Sequence, residues 1–322
     1  MRKLFAIAVL IIAVLISGII ICNEWNIQEA DIYFEKDDFG KADELYEKVF
    51  LKNLLSEKDI LNIAITKINV GELNDALTIL NKLEDKAYAD ENISLLNEGI
   101  KNIGRIYYEN GNYQACLEKF KSLKNHSGDL FYVEEMFYLA LKDYENNNFL
   151  KSLEAFKYIE ENTKIAEDPV LHNALNTNLA LNYYEIEEYK DCINYFEKRE
   201  ISNIMEYEKS IFIYYINALN NLNMYDEAIE TISFYSQKFD DKQFRNIMDE
   251  ERIFIYMYAG NYEEAQIISD KLIKDNPNNE EYYINQYVLY KNSHGFEYAQ
   301  EYLKKLIGKF PKDSRIYKLI KE

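Results

Sequence analysis

The sequence predicts an all-α protein, an array of about eight helical hairpins that follows one N-terminal transmembrane helix. Three observations support this: a recurring pair of residues, turn-forming residues before each pair, and an uncharged segment near the N-terminus. The pairs, an aromatic or leucine and a small residue three positions later, are Phe39/Ala42, Leu73/Ala76, Tyr113/Cys116, Phe149/Ser152, Tyr189/Cys192, Tyr225/Ala228, Tyr262/Ala265 and Phe296/Ala299. Successive small residues lie 34, 40, 36, 40, 36, 37 and 34 residues apart, which is the spacing of two-helix solenoid repeats.

The first predicted element is the uncharged segment from Leu4 to Cys22. At about 1.5 Å per residue, a helix of this length just spans a hydrocarbon core of about 30 Å. We therefore expect residues 1–22 to form an uncleaved signal anchor and residues 23–322 to form the repeat domain. The alternatives are a signal peptide cleaved near Ser17 and a lipoprotein signal at Cys22.

Charge predicts how such an anchor would be oriented. Arg2 and Lys3 precede the segment, whereas the fifteen residues after it contain five carboxylates and the single cation Lys36. Because positive charge favours the inner side of a membrane, we expect a single-pass protein of the cell membrane with its N-terminus inside and its repeats outside. The excess of 31 Lys over 6 Arg is typical of an AT-rich genome and favours a bacterial source.

The hairpins are predicted by the residues around each pair. Turn formers such as Gly71, Gly111, Asn147 and Gly260 lie just upstream, and glycine and asparagine accept the left-handed backbone that ends a helix. Four residues after the small residue, an apolar side chain continues the helical spacing in seven units, and Ser269 is the exception. A small residue at the crossing lets the two helices of a hairpin approach closely.

A second small residue lies twelve positions before the first in five units, at Ala30, Ala64, Gly104, Ala140 and Ala180. Together with the Gly-Asn-Tyr turns and the closing Pro277 and Pro311, this pattern resembles the tetratricopeptide repeat over about residues 23 to 312. A Sel1-like repeat is the alternative. The resemblance implies a right-handed α-solenoid with a short C-terminal capping helix. The last three units depart from it, with Ile216, Ile253 and Tyr287 at the small position.

The resemblance also implies a binding site. In that family the first helix of each unit lines a concave groove, at positions eight, eleven and fifteen before the small residue. In the third to fifth units these positions are Lys101, Arg105, Tyr108, Phe137, Leu141, Tyr144, Thr177, Leu181 and Tyr184. We expect them to bind a protein or peptide, because tyrosine offers a large contact area at low entropic cost. The alternative is that they pack against neighbouring helices.

Composition argues against several other functions. A formal charge of −19 repels phosphate backbones, so we expect no nucleic-acid partner. Cys116 and Cys192 occupy small-residue positions, and His126, His172 and His294 are scattered, so we expect no metal site. We find no phosphate-binding loop or nucleophile elbow. The sequence therefore predicts neither an enzyme nor a cofactor.

Two main function classes remain open. The first is a membrane-tethered scaffold that presents its groove outside the cytoplasmic membrane during envelope assembly or secretion. The second is a receptor subunit that senses a ligand or peptide, and a third, weaker alternative is an accessory subunit of an envelope enzyme. A scaffold would co-purify with a protein, whereas a sensor would purify alone and gain thermal stability with a small ligand.

Overall fold

The computed structural model describes residues 2–49, 55–89, 92–125, 130–199, 206–238 and 241–320, and this part of the chain is helical without strands. It forms two compact units, Met1–Asp168 and Pro169–Glu322. The helices of the first unit are α1 (Arg2–Phe34), α2 (Phe39–Glu47), α3 (Glu57–Asn69), α4 (Leu73–Ala89), α5 (Ile93–Glu109), α6 (Tyr113–Phe120), α7 (Phe131–Glu145) and α8 (Phe149–Asn162). A 3-10 turn at Ile165–Glu167 ends this unit.

The second unit contains nine helices within the described ranges. They are α9 (Pro169–Glu185), α10 (Tyr189–Glu197), α11 (Glu206–Asn221), α12 (Tyr225–Lys238), α13 (Lys242–Tyr258), α14 (Tyr262–Asp275), α15 (Glu280–His294), α16 (Phe296–Lys304) and α17 (Arg315–Leu319). In both units each odd-numbered helix packs against the even-numbered helix that follows it. The predicted all-α architecture of helical hairpins is confirmed, with four hairpins in each unit.

The eight recurring pairs mark the starts of the second helices. The helices α2, α4, α6, α8, α10, α12, α14 and α16 each begin at the aromatic or leucine residue of a pair. One residue in the left-handed region precedes each start: Asp37, Gly71, Gly111, Asn147, Glu187, Asn223, Gly260 and Gly295, with φ between 58° and 91°. This conformation reverses the chain over two or three residues, which is why the turn formers recur at this point.

The small residues lie where the two helices of each hairpin cross. All eight, from Ala42 to Ala299, are fully buried. The position twelve residues earlier is also buried in every hairpin, including those where Ile216, Ile253 or Tyr287 replaces a small residue. The packing position is therefore kept although the residue type changes.

The N-terminal helix corrects the predicted anchor. Helix α1 continues past Cys22 to Phe34 and forms the first helix of the first hairpin, with Ala30 packed against Ala42 and Tyr46. Within the described residues, no helix has both the length and the apolar character needed to cross a membrane. The predicted single-pass membrane localisation, with residues 4–22 as the membrane segment, is therefore wrong.

The C-terminal helix closes the second unit. Ile316 of α17 is fully buried in a cluster with Tyr283, Tyr287 and Leu303. Its backbone N–H donates to Glu280 Oε1 at 2.7 Å, and Arg315 forms an ion pair with Glu281 at 2.5 Å. These contacts pack α17 against α15, the first helix of the fourth hairpin of this unit.

Candidate functional site

The predicted site residues of the first unit lie on α5 and α7. Lys101 is exposed and forms an ion pair with Glu135 of α7. Arg105, Leu141 and Tyr144 are half-buried. These four predicted residues keep part of their surface accessible.

Tyr108 belongs instead to the packed interior. Only 1% of its surface is exposed, and its hydroxyl donates to Asp143 Oδ2 at 2.7 Å. The Lys151 ammonium lies 4.9 Å from the ring centroid and 3.4 Å from the same Asp143 carboxylate. Burial, followed by the bond to Asp143, raises the pKa of Tyr108. The phenol is thus held neutral as a hydrogen-bond donor between neighbouring hairpins, and its ring is not available to a ligand.

Phe137 is buried as well. Its ring meets that of Phe156 edge to face, with the centroids 4.8 Å apart. Phe156 lies four residues after the small residue of the same hairpin. Phe137 therefore contributes to the α7–α8 contact, and of the predicted site residues on α7 only Leu141 and Tyr144 remain accessible.

The aromatic residues eight positions before the small residue have partners within their own hairpins. Each contacts the aromatic residue that starts the second helix, five positions later. The pairs are Phe34/Phe39, Tyr108/Tyr113, Tyr144/Phe149 and Tyr184/Tyr189, with centroids 5.3 to 5.7 Å apart. Such contacts contribute about 0.5 to 1.5 kcal/mol beyond the area they bury. The sequence contained this signal, since every hairpin with an aromatic at the first position also has one at the second.

The predicted residues of the second unit lie on α9. Thr177, Leu181 and Tyr184 are all half-buried. The Thr177 hydroxyl donates to the carbonyl of Asn173 at 2.9 Å, within the helix. The Tyr184 ring contacts Tyr214 of α11 edge to face at 5.0 Å, and burial raises its pKa. This face is therefore apolar and partly accessible, with its threonine hydroxyl already bonded to the backbone.

The cysteines and histidines show no arrangement for chemistry in the described part of the chain. No group of three or more His, Cys, Asp or Glu side chains there has a geometry that could hold a metal ion. Burial raises the pKa of the Cys116 and Cys192 thiols to about 12, which keeps both protonated. His126 lies outside the described residues.

Comparisons with known proteins describe the fold only. No protein-family model matches the chain, and no curated protein matches it. Among solved structures it is similar to Naa15/Naa10 bound to HypK-THB, with 13% identity, a TM-score of 0.45, and coverage of 92% of this chain and 43% of that one. The chain thus spans less than half the length of that structure's chain.

Two further similar structures are described as tetratricopeptide repeat proteins. One is from Parabacteroides merdae, with 16% identity, a TM-score of 0.32, and coverage of 93% of this chain and 98% of the other. The second is the TPR2AB domain of yeast Sti1 in complex with pHSP90, with 16% identity, a TM-score of 0.30, and coverage of 93% and 97%. At such identities and scores the likeness is one of helical-repeat fold and carries no information on partners.

Proposed function

We propose that this chain is a protein-binding scaffold, without enzymatic activity, that holds a protein or peptide segment on the first-helix faces of α5 and α7 in its first unit. The observation that carries the proposal is the accessibility of Lys101 and Arg105 on α5 and of Leu141 and Tyr144 on α7. The aromatic contact with Phe149 across the turn fixes the Tyr144 ring. A fixed aromatic ring gives contact area to a partner at low entropic cost.

The first-unit face also carries positive charge in an acidic chain. Lys101 and Arg105 lie one helical turn apart on α5, while the whole chain has a formal charge of −19. Lys101 is paired with Glu135, so a carboxylate on the partner would exchange with Glu135. These groups favour a partner segment that has an acidic residue beside aliphatic or aromatic ones.

A photo-crosslinking experiment tests this proposal. A photoreactive amino acid replaces Lys101 and, as the control, Leu150, which is 66% exposed on the second helix α8. We expect a crosslinked protein of defined mass from position 101 and none from position 150. Adding Tyr144→Ala should reduce the crosslink at position 101 several-fold, because an interface anchor contributes about 1 to 3 kcal/mol. Equal crosslinking from both positions, or none from position 101, would contradict the proposal.

A further inference from the structure

A groove in the second unit runs between α12 and α14, and helix α13 forms its base. It consists of two adjoining cavities of about 370 and 320 Å³ that share Ser233 and Arg252. On α13 its residues lie 9, 13, 16, 19, 20 and 23 positions before Ala265, whereas the predicted binding positions lie 8, 11 and 15 before the small residue. At 100° per residue, the two sets occupy different sides of a helix. We call this feature the α12–α14 groove.

The larger cavity concentrates positive charge. Lys242, Arg245, Arg252 and Lys271 line it, against the two carboxylates of Asp249 and Asp275. The local balance is thus four positive minus two negative charges, or +2, in a chain of formal charge −19. Two of the six arginines of the sequence lie here. Such a concentration is unexpected in an acidic protein if these cations only increase solubility.

Asp249 holds two of these cations in place. It is 8% exposed, and it accepts hydrogen bonds from Arg252 Nη1 and Lys271 Nζ, each at 3.0 Å. Arg252 Nη2 also donates to Ser233 Oγ at 3.4 Å. The guanidinium therefore has a fixed orientation at the junction of the two cavities. A site whose donors are already ordered loses less entropy when a ligand binds.

Three isoleucines are grouped in the smaller cavity. Ile229, Ile267 and Ile268 line it together with Tyr256 and Glu264, and Ile267 is 70% exposed. Ser233 and Arg252 add polar groups where it adjoins the larger cavity. From Lys242 to Tyr256 helix α13 rises by about 21 Å. The groove therefore has one end where cations predominate and one end where the isoleucines supply apolar surface beside polar groups.

We propose that the α12–α14 groove binds a phosphate monoester, with the phosphate dianion in the cationic cavity and the organic part on the isoleucines. The net charge of the cationic cavity matches a dianion, and guanidinium groups suit phosphate oxygens because they donate two parallel hydrogen bonds. The isoleucine side chains supply apolar area in the cavity that shares Arg252 with the cationic one. No residue that lines this groove belongs to α5, α7 or α9.

Calorimetric titration of the full chain with phenyl phosphate tests the proposal, and benzenesulfonate serves as a ligand of similar shape that carries one negative charge. We expect phenyl phosphate to bind about tenfold more tightly than benzenesulfonate. Lys271→Gln removes a cation of the larger cavity that lies four residues after Ile267 on α14, and it should lower the phenyl phosphate affinity about three- to tenfold. The control Lys274→Gln, an exposed lysine of α14 outside the groove, should leave it unchanged. Equal affinities for the two ligands, or equal losses in the two variants, would overturn the proposal.

A second variant tests the aliphatic cavity without disturbing the interior. Ile267→Ser changes a side chain that is 70% exposed, so the melting temperature should not change. It should lower the affinity for phenyl phosphate and leave the affinity for inorganic phosphate unchanged. A peptide with phosphoserine followed by leucine and isoleucine then identifies the source of the ester: tighter binding than phenyl phosphate indicates a protein, and weaker binding indicates a small molecule. Absence of binding by all three phosphates would refute the site.

Discussion

The hairpins α5–α6 and α13–α14 form the same helix crossing with different residues. In the first, Gly104 lies against Phe120, and a Cβ added to the glycine would be 2.2 Å from the Phe120 ring. In the second, the same two positions hold Ile253 and Ser269, and both are buried. A glycine with a large aromatic and an isoleucine with a serine fill similar space. What the repeats keep is therefore the combined volume at the crossing, as dense packing requires.

Removing the large side chain of the first crossing should have the largest effect. Phe120 is 2% exposed, and Phe120→Ala leaves a cavity because Gly104 cannot fill it. We expect the free energy of unfolding to fall by about 3 to 5 kcal/mol, measured by urea denaturation. The control is Phe234→Ala on α12, where 59% of the side chain is exposed. An equally large loss in the control would contradict the view that packing at the helix crossing determines the effect.

In the second crossing the large residue lies on the first helix of the hairpin instead of the second. Ile253→Ala removes the large residue there, and Ser269 is too small to compensate, so we expect a loss of about 2 to 5 kcal/mol. Adding Ser269→Leu should recover part of it, because the pair then has the small-and-large order of Ala64 and Leu80. Denaturation of the single and double variants measures the coupling. If the two changes simply add, the volume argument fails.

Gly104→Ala should sharpen the comparison, because whether it raises or lowers the free energy of unfolding depends on the residue at position 120. In the native chain the new Cβ clashes with the ring, and overpacking costs about 1 to 3 kcal/mol. In a Phe120→Ala background the clash is absent, and the better helix propensity of alanine should stabilise the protein by up to about 1 kcal/mol. Gly99→Ala on the same helix is the matched control. A Cβ added there has no neighbour within 4 Å beyond the backbone of its own helix. Destabilisation by Gly104→Ala in both backgrounds would point to another neighbour.

The two buried cysteines, one in each unit, should make the protein sensitive to alkali. Burial raises the pKa of both thiols from 9.0 to about 12. A thiol whose pKa is raised in the folded state contributes stability that is fully present below its unfolded-state pKa. This contribution is lost as the pH rises from about 9 toward 12. We expect a loss of about 1.4 kcal/mol per pH unit per thiol in that range.

Cys116→Ala and Cys192→Ala test that expectation. Each should be close to neutral at pH 7, because alanine occupies the same position in five other hairpins. Each should also reduce the slope of the unfolding free energy against pH, between pH 9 and 11, by the contribution of one thiol, about 1.4 kcal/mol per pH unit. The buried tyrosines, such as Tyr108, have raised pKa values too, so some alkaline loss will remain in the double variant. An unchanged slope would contradict the burial of the thiols.

The sequence predicted local features better than contacts between hairpins. The eight helix starts follow from a turn former and a small residue a few positions apart, so they are visible in a short window. The burial of Tyr108 depends on Asp143, which lies 35 residues later on the next first helix. The α12–α14 groove likewise needs three helices to be brought together. The anchor prediction is contradicted because no described helix has both the length and the apolar character of a membrane span.

The turns provide the smallest expected effect and a further comparison between the units. Gly111 in the first unit and Glu187 in the second occupy the same left-handed position, with φ of 70° and 64°. This backbone costs a residue with a Cβ about 1 kcal/mol or more, whereas glycine adopts it freely. Glu187→Gly should therefore raise the free energy of unfolding by up to about 1 kcal/mol, although the unfolded chain becomes more flexible. Gly111→Ala should lower it by a similar amount, with Gly40→Ala, a glycine without positive φ and with open space around it, as the control. Because the Glu187 side chain is exposed, destabilisation by Glu187→Gly would show that its conformation is not strained.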